Sequence, residues 1–319
     1  MFKRNAQRLA PLLLAVLLAA AGMFRLPVAS ALGGLEAPPD LLWDVTEALS
    51  AGCGVTQFLQ TQHLSAVALV SRTENEALRS ESLPDLMNGR QLAGVAIAHL
   101  RRPKAVQVER VGDRVVFDGV APWFTGWGAM DSVALAGTLP DGRYLYVLIP
   151  TAGLLASEPM RLCAMSAAST VSLDLRGLEV ASDRILLVQT PEEMRQADAG
   201  RVLRHSAQPL GVVRAAVAIL RARSEGSARA AADSFELQGD PLRALARQWS
   251  GDPPSAYRIR ARANALAGRA AQAALVASGG AGNDLAHPAQ RLVREAMFYT
   301  LTQLDAQLKD EALAVLAFP

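Results

Sequence analysis

The sequence has few cysteines and almost no net charge, and each of these features argues against a class of site or partner. Only two cysteines occur among the 319 residues, Cys53 and Cys163, and they lie far apart. Neither a disulfide framework nor a zinc-binding spacing can be built from them, so free thiols in a reducing compartment are the favoured interpretation. No other metal site is indicated. The formal net charge of +2 gives no electrostatic reason to expect nucleic acid as a partner.

A long hydrophobic run is also missing. The uncharged stretch over residues 9–24 is shorter than the roughly 18–20 apolar residues that a membrane-spanning helix needs. Basic residues precede it and Ala29-Ser30-Ala31 follows it, which is the layout of a secretory signal peptide. The competing interpretation is a buried helix that ends near Gly22 and is followed by a turn. Neither interpretation places the protein in a membrane.

What the sequence does contain falls into three regions of different pattern. Residues 1–92 show helical periodicity, with helices expected over 55–70 and 74–86. Residues 93–188 show short alternating runs with turns at Gly112-Asp113 and Asp141-Gly142, and the second of these turns predicts a hairpin. Residues 189–319 are helical again, with breaks expected near 239–241 and 251–254 and a last helical pattern over 292–316. This order of helices, strands and helices indicates an α+β fold, in which helices and strands occupy separate regions of the chain.

The middle segment contains residues that resemble a known family. The run Gly112-Asp113-Arg114-Val115-Val116-Phe117-Asp118-Gly119, followed by Trp123-Phe124-Thr125-Gly126, resembles the acyl-CoA dehydrogenase pattern, in which the same kinds of turn, strand and Trp-x-Thr element follow in this order. Near the end, Gly279-Gly280-Ala281-Gly282 and the helix that starts at Pro288 are similar to the family's Gly-rich turn and its following helix. The matches cover nearly the whole chain in the family's order.

The resemblance implies an architecture and a cofactor. We expect an N-terminal helical domain over 1–92, a middle β-barrel over 93–188 and a C-terminal helical bundle over 189–319. It implies FAD as cofactor, acyl-CoA or a similar thioester as substrate, and a homodimer or homotetramer. It also makes residues 9–24 an internal helix, so a cytoplasmic protein is expected, with export by a signal peptide as the alternative.

The resemblance also assigns residues to the cofactor. Trp123 and Thr125 match the family's flavin-ring contacts, since an indole can stack on the ring and a hydroxyl can reach its polar edge. Ala98 stands where the family has a further flavin-contacting Thr. The glycines of the late turn, Gly279, Gly280 and Gly282, would allow close approach to the pyrophosphate. The alternative is that Trp123 is a core aromatic and that the glycines simply end a helix.

Three further residues are weaker candidates for binding the substrate. His99 could orient the substrate or move a proton, although a buried structural histidine is the competing interpretation. Arg101 could meet the phosphates of CoA, because a guanidinium suits phosphate oxygens, or it could be a solvated loop residue. Arg161 is included because the family often has an arginine just before its late strand.

The largest departure from the family concerns the catalytic base. Counting from Arg294, the family's catalytic glutamate falls on Gln303, whose neutral amide cannot accept the substrate α-proton. Glu225 is a carboxylate at the place where some relatives carry the base, but a solvated surface charge is the favoured interpretation. Three functions therefore remain open: a divergent acyl-CoA dehydrogenase, a flavin-dependent monooxygenase or oxidase on the same fold, and a non-catalytic pseudoenzyme.

Overall fold

A computed structural model describes residues 16–101, 105–249 and 253–318. The chain divides into two compact units. The first comprises residues 1–38, 58–162 and 166–194, and the second comprises 39–57, 163–165 and 195–319. Among the described residues, no helix is both long and apolar enough to cross a membrane.

Three helices precede the first strand, close to the ranges that the periodicity predicts. They are α1 (Pro39–Gly52), α2 (Gly54–Ser71) and α3 (Glu76–Met87). The third begins at residue 76 because the Asn75 side chain accepts a hydrogen bond from the backbone N–H of Leu78, at 3.1 Å, which is the usual way an asparagine caps a helix. Residues 9–15 of the predicted helix over 9–24 lie outside the described residues, whereas 16–20 are helical and Phe24 is buried.

The middle of the chain forms a nine-stranded mixed sheet. Its strands are β1 (Ala93–Ala96), β2 (Val106–Val111), β3 (Arg114–Thr125), β4 (Ser132–Thr138), β5 (Tyr144–Pro150), β6 (Leu155–Ala156), β7 (Thr170–Asp174), β8 (Leu178–Ala181) and β9 (Ile185–Gln189). The order is β6-β7-β3-β2-β4-β5-β9, with β1 parallel to β4 and β8 beside β3. The turn predicted at Gly112 and the hairpin predicted at Gly142 are confirmed: these glycines have φ of 60° and 85° and connect β2 to β3 and β4 to β5.

Both faces of this sheet are buried, as alternate residues of one strand show. On β4, Val133 and Leu135 belong to one apolar cluster, whereas Ala134 and Ala136 belong to another. Successive side chains of a strand point to opposite faces, so the two clusters lie on the two sides of the sheet. The second cluster contains apolar residues of α2 and α3, which therefore cover that face.

A buried histidine connects the elements of the first unit. The N–H of Ala93 at the start of β1 donates to His63 Nδ1 at 3.1 Å, and His63 Nε2 lies 3.0 Å from the carbonyl oxygen of Leu86 in α3. Because Nδ1 accepts, Nε2 must carry the proton and donate. The ring also contacts Phe24, with 4.2 Å between ring centroids. Burial lowers the pKa of His63 to about 4.

The second unit is helical. In addition to α1 it is built mainly from α4 (Pro191–Arg204), α5 (Ala207–Arg221), α6 (Gly226–Arg247), α7 (Pro253–Ala277), α8 (Pro288–Leu301) and α9 (Ala306–Ala317). Helices α1 and α5 are in close contact at Gly211, where an added Cβ would lie 2.5 Å from the carbonyl oxygen of Glu47 and 2.6 Å from Cβ of Ser50. Only glycine fits there.

Two sequence expectations for this unit are wrong. The break near 239–241 does not occur, because α6 continues through Pro241. Arg243 lies on the turn that contains this proline, with ion pairs to Asp240 at 3.0 Å and to Glu47 of α1 at 2.9 Å, and these contacts offset the hydrogen bond that proline removes. The single helical pattern over 292–316 is two helices, because residues 302–305 leave the helical path.

The titration of His63 predicts a pH dependence of stability. The folded-state pKa of about 4 lies below the ordinary 6.5, so the unfolded chain binds this proton more readily. The contribution of the neutral His63 ring to the free energy of unfolding is therefore complete above pH 6.5. It is lost as the pH falls towards 4, and the total loss is roughly 3 kcal/mol. We expect urea unfolding to show a steeper loss of stability between about pH 7 and pH 5 for the wild type than for His63→Gln. Equal slopes would contradict the role of His63.

The contact at Gly211 predicts a large effect of one methyl group. Gly211→Ala should lower the free energy of unfolding by about 1–3 kcal/mol, because the added carbon overlaps the backbone of α1. Gly268→Ala in α7 is the matched control, since a Cβ there meets nothing within 4 Å, and it should keep or raise stability by up to about 1 kcal/mol. Chemical denaturation of both variants measures the difference. Equal stabilities would mean that α1 and α5 are not packed as described.

Candidate functional site

Trp123 stands on an irregularity of β3. The pairing of β3 with β7 shifts register between Ala121 and Phe124, so β3 contains one more residue there than its partner. Trp123 has a φ of 65°, a left-handed conformation that costs a non-glycine residue on the order of 1 kcal/mol or more. Its side chain is 49% exposed. A strained backbone that presents a large indole to the surface is typical of a binding site.

Thr125, two residues further along β3, points inward. Its side chain is only 2% exposed, and its hydroxyl oxygen lies 3.0 Å from that of Thr170 on β7. The pair makes a cross-strand hydrogen bond inside the sheet. The flavin contact predicted for the Thr125 hydroxyl stays a prediction, and the structure shows this hydroxyl engaged with the protein.

Three of the predicted residues share the short 3-10 helix Ala98–Arg101, which follows β1. Ala98 is exposed, whereas His99 is 1% exposed, with Nε2 at 2.8 Å from the carbonyl oxygen of Ala136 on β4. Burial lowers the pKa of His99, so the ring is neutral near pH 7. The geometry of His99 matches a structural residue that ties this helix to the sheet. The Arg101 side chain lies outside what the structure describes, and Arg161 is exposed in the loop between β6 and β7.

The three glycines of the late turn differ in what surrounds them. They lie in the 3-10 helix Gly279–Asn283, directly after α7. Gly279 has a φ of 58°, and a Cβ at Gly279 or Gly280 would meet nothing within 4 Å. A Cβ at Gly282 would lie 3.1 Å from the carbonyl oxygen of Leu275. Gly279 and Gly280 therefore leave open space beside the backbone, whereas Gly282 serves the packing of the turn on α7.

Gln303 lies in the linker between α8 and α9, with a φ of 54°. Both flanks of this linker are anchored by α7. Arg260 Nη2 donates to the carbonyl oxygen of Thr302 at 2.7 Å, and the Tyr257 hydroxyl donates to Asp305 Oδ2 at 3.0 Å. Arg260 is fully buried, and burial lowers its pKa to about 10, so it stays charged at neutral pH. The residues on both sides of Gln303 are thus hydrogen-bonded to α7.

A cavity of about 980 Å³ lies among α6, α7, α8 and α9 of the helical unit. Glu225 and Gly279 both line it, so the structure brings two of the predicted residues together, whereas Gln303 is not among the described residues of its wall. Glu225 occupies the N-cap position of α6 without a side-chain capping bond. Asn264 also lines the cavity and was not predicted. Its only signal in the sequence is a single asparagine in the Ala-rich helix α7.

No protein-family model and no curated protein matches the sequence. Solved structures do match. A glutaryl-CoA dehydrogenase from Mycobacterium smegmatis in complex with FADH2 aligns with a TM-score of 0.83 at 16% identity, over 98% of this chain and 89% of that one. FkbI, which takes part in the biosynthesis of the methoxymalonyl extender unit of Fk520, aligns with a TM-score of 0.80 at 20% identity over 96% and 93%. The prolyl acyl carrier protein oxidase AnaB aligns with a TM-score of 0.76 at 14% identity over 99% of both chains.

These likenesses extend over nearly the whole length of the chain, and their low identity makes them evidence of architecture. The expected order of a helical segment, a mixed sheet and a helical bundle is the order that the structure has. The chain therefore has the acyl-CoA dehydrogenase fold, as the sequence resemblance predicted.

Proposed function

We propose that the protein binds FAD and is an oxidoreductase of the acyl-CoA dehydrogenase type with weak or no α-proton abstraction. The observation that carries the proposal is Trp123, a half-exposed indole on a strained bulge. It stands where the sequence resemblance assigns the flavin-ring contact. A core aromatic would not need a left-handed backbone to turn it outward, so this placement favours a ligand-binding role.

The residues present fit a flavin in part. The Trp123 indole supplies a flat apolar face for the ring, and Gly279 and Gly280 leave open backbone of the kind that a pyrophosphate can approach. Ala98 has no hydroxyl, and the Thr125 hydroxyl is engaged with Thr170. Because neither residue offers a free hydroxyl, the affinity for the flavin ring would depend mainly on Trp123. When bound, FAD would supply an acceptor for a hydride.

The proposed substrate is acyl-CoA or a similar thioester, whose α-proton must be removed by a base. The amide of Gln303 cannot take that proton. Glu225 is the alternative carboxylate, and it is exposed on the wall of the cavity. Dehydrogenation is therefore proposed to be slow, with Glu225 as the candidate residual base. The proposal includes a homodimer or homotetramer in the cytoplasm.

An oxidase or monooxygenase is the second candidate. The missing base at 303 favours the monooxygenase, because transfer of an oxygen atom does not require removal of a substrate α-proton. The match with AnaB over 99% of both chains supports the oxidase, since that protein is an oxidase by name. Oxygen-dependent turnover of a substrate, together with no bleaching of the flavin by acyl-CoA, would distinguish this candidate from the first.

The bulge yields a test of flavin binding that separates affinity from folding. Trp123→Gly removes the indole and also the strain of a positive φ, so the variant should be as stable as the wild type or more stable by about 1 kcal/mol. Its FAD affinity, measured by quenching of flavin fluorescence, should fall roughly tenfold or more. Val120→Ala is the control, because Val120 is an exposed residue of the same strand. Absence of FAD binding by the wild type at high micromolar concentration would refute the proposal.

A second test restores a carboxylate at the position of the family base. Leu301 and Leu304, which flank the position, are 59% and 37% exposed, so a glutamate at 303 would remain ionised at neutral pH. Anaerobic addition of acyl-CoA thioesters should bleach the flavin of Gln303→Glu faster than that of the wild type by about 10²–10⁴-fold.

The control for this test is Glu225→Gln. If the wild type bleaches rapidly and Glu225→Gln does not, Glu225 is the active base. If neither the wild type nor Gln303→Glu bleaches while both bind FAD, the dehydrogenase proposal is wrong and the oxidase or monooxygenase candidate stands.

A further inference from the structure

A pair of buried hydroxyl groups lies beside the bulge of β3. Thr125 of β3 and Thr170 of β7 are direct cross-strand partners, and their hydroxyl oxygens are 3.0 Å apart. The adjacent residues Phe124 and Val171 also pair with each other, and both belong to the same apolar cluster as Val133. Since neighbours in a strand alternate between the two faces, the hydroxyl pair lies on the face of the sheet opposite to that cluster.

This face of the sheet reaches solvent close to the pair. On β7, Ser172 shares the face with Thr170 and is half-buried, and it lies opposite the bulge that contains Trp123. The exposed indole and Thr125 are two positions apart on β3, and two residues of a strand span roughly 6–7 Å. A ring system stacked on Trp123 and extending along β3 would therefore have its edge near the hydroxyl pair.

The two hydroxyls have two hydrogens but make one hydrogen bond between them. A threonine hydroxyl has one O–H to donate and lone pairs with which to accept, so one of the two threonines donates to the other. Among the residues that the structure describes, neither hydroxyl has another partner. When Thr125 is the donor, its hydrogen is committed to Thr170 and is withheld from any ligand.

We propose that Thr170 withholds the Thr125 hydroxyl from the flavin and thereby weakens cofactor binding, an inference that rests on the proposed flavin contact at Trp123. In the unliganded protein Thr125 donates to Thr170. An acceptor atom at the polar edge of the ring then competes with the Thr170 oxygen for the same hydrogen. Exchanging one buried hydrogen bond for another gains little free energy, so Thr125 contributes little net affinity. Thr170 acts on the cofactor through Thr125 and is a positioning residue.

Removal of the competing acceptor tests this role. Thr170→Val keeps the shape of the side chain and leaves the buried Thr125 hydroxyl without a partner in the flavin-free protein. The variant should therefore unfold at a lower denaturant concentration than the wild type, and it should bind FAD about tenfold more tightly. A hydrogen bond donated to the ring stabilises its reduced form, so the reduction potential of the bound flavin should become more positive. Thr170→Ser keeps a hydroxyl and is the matched control, with affinity and potential as in the wild type.

A double-mutant cycle separates this role from a purely structural one. Thr125→Val alone should leave FAD affinity unchanged, whereas the same change in Thr170→Val should abolish the gain in affinity and restore stability, because both partners are then apolar. Unchanged or weaker FAD binding by Thr170→Val would overturn the inference and leave the proposed function intact. A loss of affinity in Thr125→Val alone would also overturn it, since Thr125 would then already serve the ligand. Absence of FAD binding in the wild type and in Thr170→Val alike would refute both proposals.

Discussion

The buried carboxylate of Glu295 is the interaction on which the helical unit depends. It accepts a hydrogen bond from the N–H of Gly54 at the start of α2, at 2.9 Å, and pairs with Arg291 one turn earlier on α8, at 3.2 Å. Arg291 in turn donates to the carbonyl of Ala51 in α1. Burial raises the pKa of Glu295 while the charge of Arg291 opposes that shift. The pair of Glu295 and Arg291 thus joins three helices, and removing Arg291 would leave the buried carboxylate without compensation.

This junction lies on the helix that leads into the linker containing Gln303. Glu295 immobilises the middle of α8, and the linker with Gln303 begins where α8 ends. From the other side, Arg260 and Tyr257 of α7 hold the same linker. The residues on both sides of Gln303 are therefore anchored by α7. Neither contact involves the Gln303 side chain, so a substitution at 303 leaves both in place.

The sequence predicted the features that local signals specify. The hairpins at Gly112 and Gly142 were predictable because a turn dipeptide between alternating runs leaves the chain few options. The continuous helix through Pro241 was not, because Arg243 and its contacts with Glu47 form only in the folded unit. The position of Trp123 was given by the family resemblance, but its left-handed backbone depends on pairing with β7. Asn264 was missed since one asparagine among the polar residues of an Ala-rich helix looks like a surface residue until its neighbours are known.

The extra residue in β3 has a consequence for how such a site can arise. Ala121 pairs with Leu173 before the bulge and Phe124 pairs with Val171 after it, so the ladder is regular on both sides. A single inserted codon can therefore turn an indole out of the sheet, while the inward and outward sides of the flanking residues stay as they were. Within a sheet whose two faces are already committed to packing, an insertion of this kind is a route by which a lineage can gain a ligand contact without redesigning its core.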